Sequence, residues 1–205
     1  MSMDTPNLPA AVAAEQTHMC LPSQPDWIQA TVEFLRQKAQ LCGACQETRS
    51  GKLMVALHEA ISNAVVHGNL ELSSQLKEQG DSAFAEALAA RAADSHYADR
   101  IVEILVDYNG DRCQWRITDQ GNGFDVERAL KKLTSDDPEL LLASGRGIII
   151  MHSFLDEVKY EAGGRRVILT LRKSSGTEKR HEERVTMQRP LRVAPIRADA
   201  SRKQR

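Results

Sequence analysis

Five residues of types that do chemistry sit close together in LMVALHEAISNAVVHGN, residues 53–69: His58, Glu59, Ser62, Asn63 and His67. At about 100° per residue they share one half of a helix, while Leu53, Ala56, Leu57, Ala60, Ile61, Ala64 and Val65 fill most of the rest. A solvated face would carry lysines and several carboxylates. This one carries a single carboxylate among uncharged or weakly titrating groups, which suits a site. Glu59 and Asn63 lie one turn apart on the same face. A carboxylate can accept a proton, and an amide oxygen is a neutral ligand for a hard cation. His58, Ser62 and His67 are read more plainly, Ser62 as a partner for backbone groups and His67 as a favourable charge at the helix end.

Two glycine motifs follow. Asp119-x-Gly121-x-Gly123 closes an alternating apolar run, so it falls at a strand end, where glycines let the backbone pass close to a ligand. A calcium loop is excluded there, because glycines replace the oxygen ligands needed at its third and fifth positions. Gly145-Arg146-Gly147 precedes the apolar run GIIIMHSFLDEV, so its amides open a helix and form a ready anion site. Arg146 suits either a phosphate contact or an exposed loop position.

The elements that must hold these residues can be read from periodicity. Residues 1–20 read as a flexible leader. After Pro22 and Pro25 comes an amphipathic helix with Ile28, Val32, Leu35, Ala39 and Leu41 on its apolar side and Asp26 near its N-cap. The helix bearing Glu59 and Asn63 is next, and it is expected to stop at Gly68. Residues 70–99, rich in Ala, Glu and Arg, predict two lightly packed helical pieces broken at Gly80. IVEILVDY and RCQWRITD then predict strands joined by an Asn109-Gly110 turn. Residues 126–144 read as a loop with some helical character, and a second hairpin turns at Gly163-Gly164. The segment 174–205 holds nine Lys or Arg against four Asp or Glu without periodicity, and reads as a disordered basic tail.

With 205 residues, 41% hydrophobic and 27% charged, the chain is long enough for one domain with a real core. Its formal net charge of −1 gives no reason to expect nucleic acid as partner, and no apolar run is long enough to span a bilayer. Four unevenly spaced cysteines and no secretory signal point to the cytoplasm and reduced thiols. Cys42-Gly-Ala-Cys45 has no second pair to complete a metal site, and Gly43 reads as a helix stop.

Taken in order, HEAISNAVVHGN, ITDQGNGFD and SGRGIIIMHSFLDEV resemble the N, G1 and G2 boxes of the GHKL (histidine kinase-like) ATPase superfamily. Within it the chain looks most like the small serine/threonine kinases that act as bacterial anti-sigma factors, over roughly residues 20–172. The resemblance implies an α/β two-layer sandwich, a mixed sheet covered by helices on one face, over residues 21–173, with 70–99 as an insertion. It implies ATP and Mg²⁺ as ligands, Asn63 on the metal, Glu59 as the base, Asp119 reading adenine, and Gly121 and Gly123 beside base and ribose. Gly145, Arg146 and Gly147 would meet the phosphates, and residues 126–144 would form the lid over them. The implied reaction is transfer of the γ-phosphoryl group to a Ser or Thr of a STAS-type antagonist protein. A sigma factor or response regulator is a further implied partner, and the resemblance allows a homodimer. The same boxes would also serve a non-catalytic, ATP-gated binding module. A histidine kinase is disfavoured, because the only histidine before Leu53 is His18, in no helical pair.

Overall fold

A computed structural model of the chain describes residues 15–109, 111–133 and 146–173, without the side chains of residues 77–79 and 132–133. Strand β1 (Glu15–Pro22) leads into helices α1 (Trp27–Leu41) and α2 (Glu47–Ser62). A π-helical turn (Asn63–Asn69) and a short 3-10 helix (Ser74–Gln79) connect to α3 (Asp81–Ala93) and α4 (Ser95–Ala98). Strands β2 (Ile101–Tyr108) and β3 (Arg112–Thr118) form a hairpin, followed by α5 (Val126–Leu133) and α6 (Arg146–Phe154). Strands β4 (Glu157–Glu161) and β5 (Arg166–Arg172) form the second hairpin. No helix among the described residues is long and apolar enough to cross a membrane.

The architecture is the expected α/β sandwich, with two corrections. The five strands, in order β1-β2-β3-β5-β4, pair antiparallel throughout, so among the described residues the sheet is not mixed. Two of the pairings, β2 with β3 and β4 with β5, are hairpins, whose strands can only run antiparallel. The other two, β1 with β2 and β3 with β5, join strands distant in sequence, and their direction is set by how the intervening helices cross the sheet. Residues 15–20, assigned to the leader, belong to β1, which pairs with β2 from Glu15↔Tyr108 to Pro22↔Ile101. Alternation in EQTHMCLP is muted because the inward residues Thr17 and Met19 are only weakly apolar; pairing with β2 fixes the strand instead.

Directly opposed residues share a sheet face, so the register writes out the core in rungs. Met19, Ile104, Ile117, Val167 and Tyr160 make one inward rung; Thr17, Val106, Trp115, Leu169 and Val158 make the next. Against them pack Val32 and Leu35 of α1, Leu53, Leu57 and Ile61 of α2, and Met151 of α6, all buried. The opposite face is polar, with Arg116 paired to Asp107, His18 to Glu103 at 3.1 Å, and Arg166 Nε donating to Thr118 Oγ1 at 3.0 Å. One face covered and one wet is what the alternating strand sequences require.

The helix ends are set by geometry more than by side-chain caps. Asp26 stands at the N-cap of α1 but makes no capping hydrogen bond there. At its other end Gly43 takes φ +70°, a left-handed turn that donates to the Gln40 carbonyl at 2.9 Å. The plain reading of CGAC therefore holds. Cys45 is buried, Cys42 half-buried, both are free, and burial pushes both thiols above their ordinary pKa.

Leu57 is fully buried between the sheet and its neighbours. Leu57→Ala is expected to cost about 2–5 kcal/mol of unfolding free energy in a denaturant titration. Lys52→Ala, on the exposed side of the same helix, should change it by less than about 0.5 kcal/mol.

Candidate functional site

Helix α2 does not stop at Gly68. After Ser62 it widens, and the Leu70 N–H bonds the Val65 carbonyl at 2.9 Å, a span of five residues instead of four. The Leu72 N–H reaches the Val66 carbonyl at 3.0 Å. This wide turn sets Asn63, Ala64, His67 and Gly68 along one wall of a cavity of about 620 Å³. His67 Nδ1 donates to the Leu72 carbonyl at 2.6 Å, since a carbonyl can only accept.

The second wall is the end of β3. Gly68 lies so close to Asp119 that a Cβ on it would sit 2.5 Å from the carboxylate carbon. A Cβ on Gly121 would overlap the Gly68 carbonyl outright. Glycine is thus demanded on both sides of one contact. Asn69, buried beside it, clamps the junction: its Oδ1 accepts from the Gln120 N–H at 2.7 Å and its Nδ2 donates to Ser23 Oγ at 2.8 Å. Asp119 Oδ1 accepts from the Gly121 N–H at 2.8 Å. Burial pushes the Asp119 carboxyl above its ordinary pKa, partly offset by that N–H and by the Arg165 charge. Gly123 follows at φ +72°, and the Phe124 N–H holds the loop to the Gly163 carbonyl at 3.0 Å.

The third wall is the first turn of α6. A Cβ on Gly147 would lie 2.5 Å from Glu59 Oε2 and 3.4 Å from Asn63 Nδ2. The three motifs therefore meet in pairs around one space, the first with the second at Gly68 and the first with the third at Gly147. Asn63, Asp119, Gly123 and Gly147 line the cavity. Glu59 does not line it; its carboxylate sits directly behind Gly147. Gly121 supports the wall through Gly68, and Arg146 is exposed at the start of α6, outside the lining. Gly145 lies outside the described residues, as does the part of the expected lid from residue 134 to 144.

Several lining residues escape the sequence reading. His67 lines the cavity beyond its place near the helix end, while Phe124, Arg128, Tyr160 and Arg165 carry no motif of their own. Phe124 is the most legible of them, an aromatic directly after the last glycine. The start of the insertion also belongs to the site. Leu72, Ser73 and Ser74 line the cavity, and Glu71 Oε1 accepts from Asn122 Nδ2 at 2.9 Å and from Arg100 Nη1 at 2.8 Å. These residues are therefore not a surface addition remote from the site.

Chemically the cavity joins two functions. Ile117, Val167 and Met151 give it an apolar floor, with the Asp119 acceptor at the Gly68 end. At the other contact, roughly 7 Å along the helix axis, stand the Asn63 amide, the Gly147 backbone and the Glu59 carboxylate. A flat heteroaromatic with a donor group fits the first end, and an anion with its cation fits the second. The Asn63 amide oxygen is the kind of donor Mg²⁺ takes when phosphates supply the rest of its shell.

Two substitutions test this geometry. Gly121→Ala should displace the Gly68 carbonyl and lower nucleotide affinity at least tenfold by calorimetry, in a protein that still folds. Asp119→Asn should abolish most adenine-nucleotide binding yet raise the melting temperature at pH 7. A carboxyl whose folded pKa is raised costs stability above its unfolded pKa, and the cost fades as pH falls through the folded value. The thermal gain of Asp119→Asn should accordingly shrink in acid.

A family model described as a histidine kinase-like ATPase domain matches residues 21–173. No curated protein matches the chain. The match spans all three motifs and the whole described sandwich except β1, of which it includes only Leu21 and Pro22. Sandwich, cavity and glycine contacts agree with that match, and the chain belongs to the histidine kinase-like ATPases.

Proposed function

We propose that the chain is an ATP-dependent protein serine/threonine kinase of the anti-sigma-factor type, acting on a small STAS-type antagonist protein. Membership of the ATPase family supports ATP binding and a phosphotransfer or ATPase role. The observation that carries the finer reading is the convergence of Glu59 and Asn63 on the backbone of Gly147. A carboxylate beside the phosphate end has no binding task there, since it repels phosphate; accepting a proton is a task that suits it.

In this reading adenine lies on the apolar floor with its amino group donating to Asp119. Asn63 holds Mg²⁺, which when bound neutralises phosphate charge. The incoming Ser or Thr hydroxyl forms an O–P bond to the γ-phosphorus as the bond to the bridging β–γ oxygen breaks. ADP leaves with that electron pair, and the hydroxyl proton passes to Glu59. Arg128, on α5 and lining the cavity, is placed to add positive charge near the ligand. A sigma factor or response regulator would be the downstream partner.

Incubation with ATP labelled at the γ-phosphate and a STAS-domain protein tests the reading. Label on the STAS protein supports the kinase; nucleotide binding without transfer supports an ATP-gated binding module. Asn63→Ala should weaken Mg-ATP binding and abolish transfer together. Glu59→Gln should leave ATP affinity within a few fold and slow single-turnover transfer by roughly 10²–10⁴, nearer the lower figure if positioning dominates a loose transition state. Transfer by Glu59→Gln at the wild-type rate would remove the carboxylate as base.

A further inference from the structure

Between its two ends the cavity must accommodate a third group. A nucleotide with its base at Asp119 and its phosphates at Asn63 lays its sugar along the wall that joins them. A ribose brings two adjacent hydroxyls into that space, each both donor and acceptor. Such groups need partners when they leave bulk water. The apolar floor of Ile117, Val167 and Met151 has none to offer.

The wall between the two ends is built by the first residues of the insertion. His67 stands one turn beyond Asn63, about 6 Å along the helix axis, and its Nδ1 donates to the Leu72 carbonyl at 2.6 Å. That bond fixes the tautomer and leaves Nε2 as the acceptor of the neutral ring. It also anchors the residue from which Ser73 and Ser74 continue, and both serines line the cavity with His67. Ser73 Oγ accepts from the Gln75 N–H at 3.2 Å, and its own O–H remains a donor. Among the described residues nothing bonds the Ser74 hydroxyl or His67 Nε2.

This wall is preorganised. Leu72 is buried, and its N–H reaches the Val66 carbonyl at 3.0 Å. Glu71 takes φ +51°, a left-handed backbone that a glutamate rarely adopts. Its carboxylate is gripped from two sides, by Asn122 Nδ2 at 2.9 Å and Arg100 Nη1 at 2.8 Å. Asn122 lies between Gly121 and Gly123, so the start of the insertion is tied to the glycine loop. Backbone held in a sparsely populated region by several partners is characteristic of ligand sites.

We propose, resting on that placement of the nucleotide, that Ser73 and Ser74 form with His67 Nε2 an edge that reads ribose. They hydrogen-bond the 2′ and 3′ hydroxyls and make the site select ribonucleotides over deoxyribonucleotides. The serines come from the insertion, outside all three motifs, so sugar selection is a property this excursion adds to the site. On the far rim the Asp125 carboxylate is the competing acceptor, but its Oδ1 already takes the Arg128 N–H at 2.9 Å.

The test is calorimetry of the full chain with Mg-ATP and with the Mg complex of 2′,3′-dideoxy-ATP. The wild type should bind ATP about ten- to a hundredfold more tightly, the usual contribution of two neutral hydrogen bonds. Ser73→Ala with Ser74→Ala should cut that ratio to about threefold or less, through ATP alone, with dideoxy-ATP affinity and melting temperature unchanged. Asp119→Asn should weaken both nucleotides alike and preserve the ratio, which separates sugar reading from base reading. Equal wild-type affinity for the two nucleotides would overturn the proposal while leaving ATP binding and phosphoryl transfer as read above. A ratio that survives the double serine substitution would do the same. Failure of the wild type to bind either nucleotide would remove the placement itself, and the proposal with it.

Discussion

One contact organises the rest: the carbonyl of Gly68 occupies the space a methyl group on Gly121 would need, and Asp119 occupies the space of one on Gly68. A helix end and a strand end are brought to backbone distance. Such closeness leaves no room for side chains to mediate, so the two elements must be aligned by hydrogen bonds at their margins. Asn69 does this from below, joining Gln120 to Ser23, while Arg100 bonds the Asn69 carbonyl at 2.9 Å. The widening of α2 after Ser62 is the other half of the arrangement. A regular helix advances in steps of 3.6 residues, and the extra width lets the chain descend onto β3 while Asn63 still faces α6.

Around that contact the fold holds some charge at a cost. Asp119 is kept partly dry, which makes its carboxylate a stronger hydrogen-bond acceptor and a less comfortable anion. Its neighbours answer with one backbone N–H and the field of Arg165. A site poised in this way sacrifices some folding free energy for ligand contacts, a trade that recurs where function and stability compete. The rest of the sandwich is well supplied with apolar burial, from Trp115 and Leu169 on the sheet to Leu57 and Ile61 above it, so it can carry the strain.

Much of this was legible in the residues, and the reasons it was not elsewhere are physical. The stripe on α2, the alternation in β2 and β3, and the glycine motifs were visible because each obeys a period or a turn rule. The sandwich followed from them. β1 was missed because an edge strand with one fully buried residue hardly alternates in hydrophobicity. The antiparallel order was missed because nothing local announces how β3 and β5 meet. At the site, Glu59 and Asn63 could be paired by helical spacing, and their meeting with Gly147 is a tertiary fact that spacing alone does not contain. Asn69, Arg100 and Glu71 looked like ordinary polar residues in sequence. Their importance comes from where the fold ends two elements.

The bonds from Arg100 to Asn69 and Glu71 have a consequence for how this protein can be altered. They draw the two ends of the excursion between positions 71 and 100 into a collar at a single place on the sandwich. Beyond Ser74 the excursion lies lightly on the sandwich: Phe84 and Leu88 of α3 are only partly buried against the core, Gln24 Nε2 donates to the Ala92 carbonyl at 3.0 Å, and α3 has no fully buried residue of its own. Lengthening a closed excursion adds only a slowly growing entropic cost. The junction between α3 and α4 is thus a natural port for grafting. A fluorescent or affinity module spliced there would report on the sandwich without entering its folding core, provided the collar is left whole.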